Sequence, residues 1–196
     1  SADIDTVIID RTEIENSENA LIQWNGVCVR AVGTIRRSKI HDNSSGVLFC
    51  LDFDRSELYN IDYPRNSFDP TYHTNGIYLD PTTLGKNRAY IRNSYLYNSG
   101  GGANLAYPNV RAGATVYVYN NVIYGNMSAQ LAIQIDPYNY ANEGPGSCYV
   151  WNNTIVNYYN NTPAIRVVGR ATKLGALVAE NNHVIGIGAS VTNANS

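Results

Sequence analysis

A short pattern of apolar and polar residues recurs along this chain and constrains its fold more than any other feature. Each copy has an apolar strand, two polar residues and then a further apolar residue. The copies are IDRTEIEN (9–16), IRRSKIHDN (35–43), YPRNSFD (63–69), YIRNSYLYN (90–98), VYNNVIYGN (118–126), VWNNTIVNY (150–158) and AENNHVIG (179–186). Repetition at a steady interval is typical of proteins built by stacking one structural unit on the next.

The second polar residue of each copy is its anchor, and successive anchors are 26 to 32 residues apart. The anchors are Thr12, Ser38, Asn66, Ser94, Asn121, Asn153 and Asn182. Two residues after each anchor stands an apolar residue: Ile14, Ile40, Phe68, Leu96, Ile123, Ile155 and Val184. The positions three and five residues before the anchors are also mostly apolar, which is the period of two expected of a strand with one buried face.

A second series of strands follows at the same interval, with the inward residues Ile22, Phe49, Ile77, Leu105, Ile133 and Ile165. Repeated strands without helical crossovers predict an all-β solenoid of about seven coils of about 28 residues, stacked ~4.8 Å apart. We expect one domain over 1–196 and almost no helix. The Ser, Thr and Asn anchors are expected to form a hydrogen-bonded ladder at one turn of every coil.

Composition excludes several classes of function. The net charge is -2, with 14 basic and 16 acidic residues, so the chain lacks the basic surface needed for nucleic acid or an anionic membrane. No apolar run is long enough to insert into a membrane. Cys28, Cys50 and Cys148 show no metal-ligand spacing and are expected to be buried free thiols, although a Cys28–Cys50 bridge stays open.

The repeat, with its Asn-Asn pairs and Gly-led strands such as NGIYLD (75–80), resembles the pectin-lyase-like superfamily of right-handed parallel β-helices. The resemblance covers nearly the whole chain and is specific for fold rather than activity. It implies a right-handed parallel β-helix that binds or sits among polysaccharides, extracellular, at a cell surface or on a phage or virion exterior.

The hydrolytic members of that superfamily supply a direct comparison. Polygalacturonases carry Asn-Thr-Asp-Gly in one coil and Gly-Asp-Asp in the next, where this chain has His73-Thr74-Asn75-Gly76 and Gly100-Gly101-Gly102. Inverting hydrolysis requires one protonated and one ionised carboxyl group on either side of the scissile bond. The expected carboxyl groups are absent at these positions, so we do not expect glycoside hydrolase activity.

An aromatic stripe gives the main candidate for carbohydrate binding. Tyr90, Tyr117 and Tyr149 stand four residues before their anchors, and Arg92, Tyr119 and Trp151 stand two residues before them. In stacked coils these residues form two outward columns, and a long segment at 137–147 could wall the same face. Aromatic rings suit the apolar faces of sugars and arginine donates to hydroxyl or carboxylate groups, but aromatic ladders also stabilise sheets.

Three aspartates, Asp52, Asp80 and Asp136, close the second strand of their coils and are candidate ligands for Ca²⁺. The alternative is that they start turns, because Asp80 and Asp136 precede prolines. The superfamily's lyases imply that a basic residue abstracts a proton beside Ca²⁺, and Arg92 and Arg111 are the candidates here. No cofactor is otherwise required.

The termini show no capping helix, so we expect a segment of a longer rod, stacking between copies, or neighbouring domains over the coil ends. Three functions therefore remain open. The first is a polysaccharide-binding or surface-associated β-helix without hydrolytic activity. The alternatives are a lyase that cleaves uronate polymers by β-elimination, and a structural rod that self-associates through uncapped ends.

Overall fold

The computed structural model describes residues 7–15, 29–30, 33–43, 46–48, 50–61, 76–97, 105–111, 113–125, 132–137, 144–157, 163–167, 174–186 and 191–193. In these residues the chain forms three parallel sheets of seven strands each. The only helical segment among them is a single 3₁₀ turn at Thr82–Leu84. No helix in the described part of the chain is long and apolar enough to cross a membrane.

Consecutive strands belong to different sheets, and each strand pairs with the strand three places along the chain. The first sheet contains β1 (Val7–Asp10), β4 (Gly33–Arg36), β7 (Asp52–Asp54), β10 (Arg88–Arg92), β13 (Thr115–Tyr119), β16 (Gly146–Trp151) and β19 (Leu174–Glu180). The second contains β2 (Glu13–Glu15), β5 (Lys39–Asn43), β8 (Glu57–Ile61), β11 (Tyr95–Tyr97), β14 (Val122–Gly125), β17 (Thr154–Asn157) and β20 (His183–Ile185). The third contains β3 (Val29–Arg30), β6 (Val47–Leu48), β9 (Ile77–Leu79), β12 (Ala106–Pro108), β15 (Ile133–Ile135), β18 (Ile165–Val167) and β21 (Val191–Asn193).

The hydrophobic core lies between the three sheets, because every second residue of each strand faces inward. In the first sheet Ile35, Phe53, Ile91, Val118 and Val150 are fully buried and stand in register. The second sheet contributes a similar column of Ile40, Leu58, Leu96, Ile123 and Ile155. The predicted parallel β-solenoid is therefore confirmed, and so are the predicted core positions at Ile40, Leu96, Ile123 and Ile155.

The third repeat lies at a different place from the one predicted. Ser56 occupies the anchor position, with Phe53 before it and Leu58 after it, whereas Asn66 and Phe68 lie outside the described residues. Ser56 follows Ser38 by 18 residues and precedes Ser94 by 38. The expected seven regular coils of about 28 residues are thus wrong. Strand pairing fixes the register within a sheet, but a connecting loop can lengthen at little cost in free energy.

In the third sheet, two of the inward positions differ from those predicted. Ile77, Ile133 and Ile165 are inward as expected. Val47 pairs with Ile77 in the column where Phe49 was predicted, and Ala106 stands in register where Leu105 was predicted. Leu105 is nevertheless buried.

Cys50 and Cys148 are buried free thiols, as expected, and Cys28 lies outside the described residues. Because Cys50 is unpaired, the alternative Cys28–Cys50 bridge is wrong. Burial raises the pKa of the Cys50 thiol to about 12 and also raises that of Cys148. Both side chains therefore act as small apolar core residues.

Candidate binding surface on the first sheet

The turn between the first and second sheets aligns the outer face of the solenoid. Every anchor is preceded by a residue with a left-handed backbone, with φ between 48° and 55°: Arg11, Arg37, Arg55, Asn93, Asn120, Asn152 and Asn181. Each anchor's backbone N–H donates to the side-chain oxygen of the next anchor at 3.0–3.2 Å. The predicted ladder is therefore continuous from Thr12 to Asn182.

The asparagine anchors make more hydrogen bonds than the serine anchors. Asn153 accepts from the backbone N–H of Asn121, and its amide donates to the carbonyl of Val118 at 3.0 Å and to Asn182 Oδ1 at 2.9 Å. Ser56 accepts from Ser38 and donates only to the carbonyl of Asp54. Asn121 and Asn153 are each 1% exposed, so water cannot replace these partners.

Five aromatic side chains form one surface on the outer face of β10, β13 and β16, which we call the aromatic patch: Tyr90, Tyr117, Tyr119, Tyr149 and Trp151. Tyr117 stands between Tyr90 and Tyr149, with ring centroids 5.1 and 5.4 Å away and interplanar angles of 11° and 17°. Tyr119 stacks on Trp151 at 4.9 Å and 4°. All five side chains are partly exposed.

The orientation of these rings changes what the patch can offer a ligand. The rings stack on one another along the solenoid axis. Tyr117 has a ring against both of its faces, whereas the four other rings each stack on one ring of the patch. The hydroxyl group of Tyr119 is a hydrogen-bond partner of Arg92. Stacking of sugars on open ring faces, the chemistry expected from the sequence, can therefore use at most one face of these four rings and neither face of Tyr117, and the polar groups of the rings can add hydrogen bonds.

The same outer face is charged on the N-terminal side of the patch. Arg36 and Arg37 both pair with Asp10, and Arg55 pairs with Asp54 at 2.9 Å. Arg92 donates two hydrogen bonds to Asp52, at 2.7 and 3.0 Å, and its guanidinium lies 5.9 Å from the Tyr90 ring centroid. Arg92 therefore joins the charged surface to the aromatic patch.

The three aspartates proposed as calcium ligands do not form one column. Asp52 begins β7 in the first sheet, whereas Asp80 and Asp136 lie at the end of third-sheet strands, two strands apart. Asp80 is 3% exposed and accepts from Thr82, Thr83 and Arg111. The shared register predicted for them is therefore wrong for Asp52, whereas Asp80 and Asp136 occupy equivalent positions, as expected.

Each of these carboxylates has a partner within the fold. Asp136 accepts from the hydroxyl of Tyr107 at 2.5 Å. Burial alone would raise the pKa of Asp80, but hydrogen bonds from Arg111, Thr82 and Thr83 outweigh it and hold this pKa below its usual value. Asp80 therefore acts as a turn residue bound to an arginine, which is the alternative that the following proline suggested.

The two candidate bases are also held in ion pairs. Arg92 pairs with Asp52, whose hydrogen bonds raise the arginine pKa further above its ordinary value. Arg111 donates to Asp80 at 2.9 Å and to Thr83 at 2.8 Å. A general base must lose its proton near neutral pH. Both environments stabilise the charged arginine and so oppose that role.

The sequence reasoning missed a second cluster, on the outer face of the second sheet. The ring of His41 stacks on Tyr59 at 4.5 Å, and Tyr59 stacks on Tyr97 at 4.7 Å. His41 Nδ1 lies 2.6 Å from Asp42, and its Nε2 lies 3.0 Å from Glu13. The predictive signal was present, because Tyr59 and Tyr97 each follow their anchor by three residues, but the misplaced third anchor concealed it.

The two carboxylates beside His41 favour its protonated form. Burial opposes its protonation, but the hydrogen bonds to Asp42 and Glu13 outweigh that effect and raise its pKa. Hydrogen bonds from His41 and Asn60 lower the pKa of Asp42. Glu15 lies close to His41 and Asp42, and the three form the only group of at least three His, Cys, Asp or Glu side chains within 4.8 Å in the described part of the chain.

Some predicted features lie outside the described residues. They are Asn75 and Gly100–Gly102, which were compared with the hydrolase motifs, and 138–143, which forms most of the predicted wall segment. Comparisons of the chain with protein-family models, curated proteins and solved structures gave no match.

Proposed function

We propose that this chain is an extracellular or surface-associated β-solenoid that binds polysaccharide without hydrolysing it, and that the aromatic patch is its binding surface. We include in this proposal that the solenoid is right-handed, as in the pectin-lyase-like superfamily that the repeat resembles. The observation that carries the proposal is the patch itself. Five large aromatic side chains stay partly exposed on three adjacent strands, and exposed apolar groupings of this kind mark interaction sites.

The chemistry of the patch suits sugars. Tyrosine hydroxyls both donate and accept hydrogen bonds, and the indole N–H of Trp151 donates. The ring edges between these polar groups supply apolar contact for the C–H groups of a sugar. The proposal assigns no role to a metal ion, and the candidate Ca²⁺ ligands Asp52 and Asp80 are each engaged by an arginine.

A glycan array tests the proposal with a matched pair of variants. Changing Tyr119 and Trp151 together to Ala removes one stacked ring pair from the patch. Changing Tyr59 and Tyr97 together to Ala removes a similar ring pair from the second sheet. We expect the first variant to lose glycan binding and the second to keep it, with a strand-type circular dichroism spectrum for both. Equal binding by the wild type and the first variant would contradict the proposal.

A purely structural rod is the second candidate, favoured by the close stacking of the rings on one another. Cross-strand aromatic pairs stabilise sheets without any ligand. This function predicts no signal on the array, together with end-to-end polymers in electron micrographs. The third candidate, a uronate lyase, has weaker support because Arg92 and Arg111 are both ion-paired. Its test is growth of ultraviolet absorbance on pectate or alginate.

A further inference from the structure

The aromatic patch has a direction, which restricts the shape of its ligand. Its two columns run along the solenoid axis. One column has a ring on each of the three strands, Tyr90, Tyr117 and Tyr149, and the other has Tyr119 and Trp151 on β13 and β16. Centroid spacings of 5.1, 5.4 and 4.9 Å follow the distance between strands. Hydrogen-bonding groups therefore recur at one strand spacing, which is close to the rise per sugar of a flat, extended pyranose chain.

The charge of the patch restricts its ligand further. The outward residues of β13 are Thr115, Tyr117 and Tyr119, and those of β16 are Ser147, Tyr149 and Trp151, so neither strand presents a charged side chain. A uronate polymer carries a carboxylate on every sugar. A carboxylate is bound most strongly by a cationic donor such as arginine, and two successive strands of the patch supply only neutral hydroxyl and N–H donors.

The charged residues at the borders of the patch do not alter this conclusion. Arg92 is engaged by Asp52, and Glu180 lies beside Trp151 on the next strand, where it would repel an anionic chain. Arg88 is exposed at the start of β10 and forms no ion pair within the described residues. It supplies one cation at one corner, whereas a uronate chain presents a carboxylate at every strand.

From this geometry we infer that the ligand is a neutral, extended glycan that lies parallel to the solenoid axis, with one sugar per strand over β10, β13 and β16. This inference rests on the proposed function and specifies its ligand. Tyrosine hydroxyls and the Trp151 N–H form hydrogen bonds with sugar hydroxyls, and no ionic contact is required. Binding therefore depends on the length of the glycan and little on salt.

Isothermal titration with defined oligosaccharides tests the inference. One series contains neutral oligomers of glucose, xylose, mannose and N-acetylglucosamine, from two to six sugars. The other contains galacturonate and mannuronate oligomers of the same lengths, and both are measured in low and high salt. We expect neutral oligomers to bind, with an affinity that rises up to about three sugars, one for each strand of the patch, and changes little with salt.

Two variants and one control locate the ligand and its charge preference. Tyr149→Leu removes one ring from the patch and should weaken neutral-glycan binding about fivefold to tenfold, the value of a hydrogen bond or two. Tyr97→Leu removes a stacked ring from the second sheet and should leave affinity unchanged. Changing Thr115 and Ser147 together to Lys adds cations in register with Arg88, so that each of the three strands carries one, and should create measurable, salt-sensitive uronate binding.

The possible outcomes separate the two proposals. If uronates bind the wild type more tightly than neutral oligomers, the inference is overturned while the proposed function stands. If affinity does not increase between two and three sugars, the alignment along the axis is wrong. If no oligosaccharide of either series binds, the proposed function fails and the inference fails with it.

Discussion

The N-terminal and C-terminal parts of the solenoid build the same turn from different side chains. Around β1, β4 and β7, the left-handed position is arginine, the anchor is Thr or Ser, and the outer face carries ion pairs. Around β13 and β16 the two turn positions are both asparagine, and the outer face carries the aromatic patch. The turn after β10 combines them, with Asn93 before Ser94 and Arg92 beside Tyr90.

This difference shows how little of the side-chain chemistry the backbone dictates. The turn requires a left-handed residue followed by an acceptor for the neighbouring N–H, and Arg-Ser and Asn-Asn both satisfy it. The two solutions differ in energy, because left-handed geometry is costly for arginine and tolerated by asparagine. We therefore expect the C-terminal, asparagine-anchored part to be the more stable one.

The largest expected effect comes from the anchors. Asn153→Ala leaves both the N–H of Asn121 and the carbonyl of Val118 without a side-chain partner, which should lower the free energy of unfolding by about 3 kcal/mol. Ser56→Ala removes the side-chain acceptor of only one backbone group, the N–H of Ser38, and should lower the free energy of unfolding by about 1–2 kcal/mol. Urea unfolding measures both values. Similar losses would mean that the two anchor types are equivalent.

The next largest expected effect is a pH dependence of stability between pH 6 and 9, which we assign to the N-terminal part. The pKa of His41 is raised in the folded state, so its stabilising effect is complete below its unfolded pKa of about 6.5 and is lost as the pH rises through the folded value. His41→Gln should therefore be less stable than the wild type by about 1–2 kcal/mol at pH 6, with a smaller difference at pH 9.

Hydrogen exchange at several pH values locates this effect. Amide protection in β5 and β8 should fall as the pH rises from 6 to 9, after correction for the intrinsic exchange rate, while protection in β13 and β16 should stay constant. The variant should remove the pH dependence in β5 and β8. A uniform change across all four strands would contradict the assignment to His41.

A smaller effect is expected when the aromatic patch loses one ring. Tyr117 contacts a ring on each side, so Tyr117→Leu should lower stability by about 1 kcal/mol, with little dependence on salt. The ion pairs of the N-terminal face should instead weaken in 1 M salt, where charges are strongly screened. Thermal unfolding of wild type and variant at two salt concentrations distinguishes the two kinds of surface.

The smallest expected effect is a gain in stability. Arg55 has φ of 48° and an exposed side chain, so Arg55→Asn should stabilise the protein by about 0.5–1 kcal/mol, less the loss of its ion pair with Asp54. The reverse change, Asn152→Arg, should destabilise it by a similar amount. A loss of stability on Arg55→Asn would show that the ion pair outweighs the backbone strain.

The sequence by itself determined the class of fold and most of the core. Apolar residues at a period of two, together with a polar turn repeated along the chain, can be satisfied only by stacking parallel strands, since one coil cannot bury its own apolar face. The pattern therefore identified Ile40, Leu96, Ile123 and Ile155 as core residues. It also aligned Tyr117 with Tyr149 and Tyr119 with Trp151, because residues in register on adjacent strands become neighbours.

Only the tertiary structure decided the third repeat, the partners of the charged residues and the orientation of the aromatic rings. A steady interval between anchors favoured Asn66 over Ser56 as the third anchor. The true spacings are 18 and 38 residues, because a connecting loop can shorten or lengthen at little cost in free energy. The pairing of Arg92 with Asp52 joins residues 40 positions apart, and ring stacking depends on side-chain torsions. Sequence spacing fixes which residues are neighbours, whereas their contacts depend on rotamers and charge partners that form only when the strands are stacked.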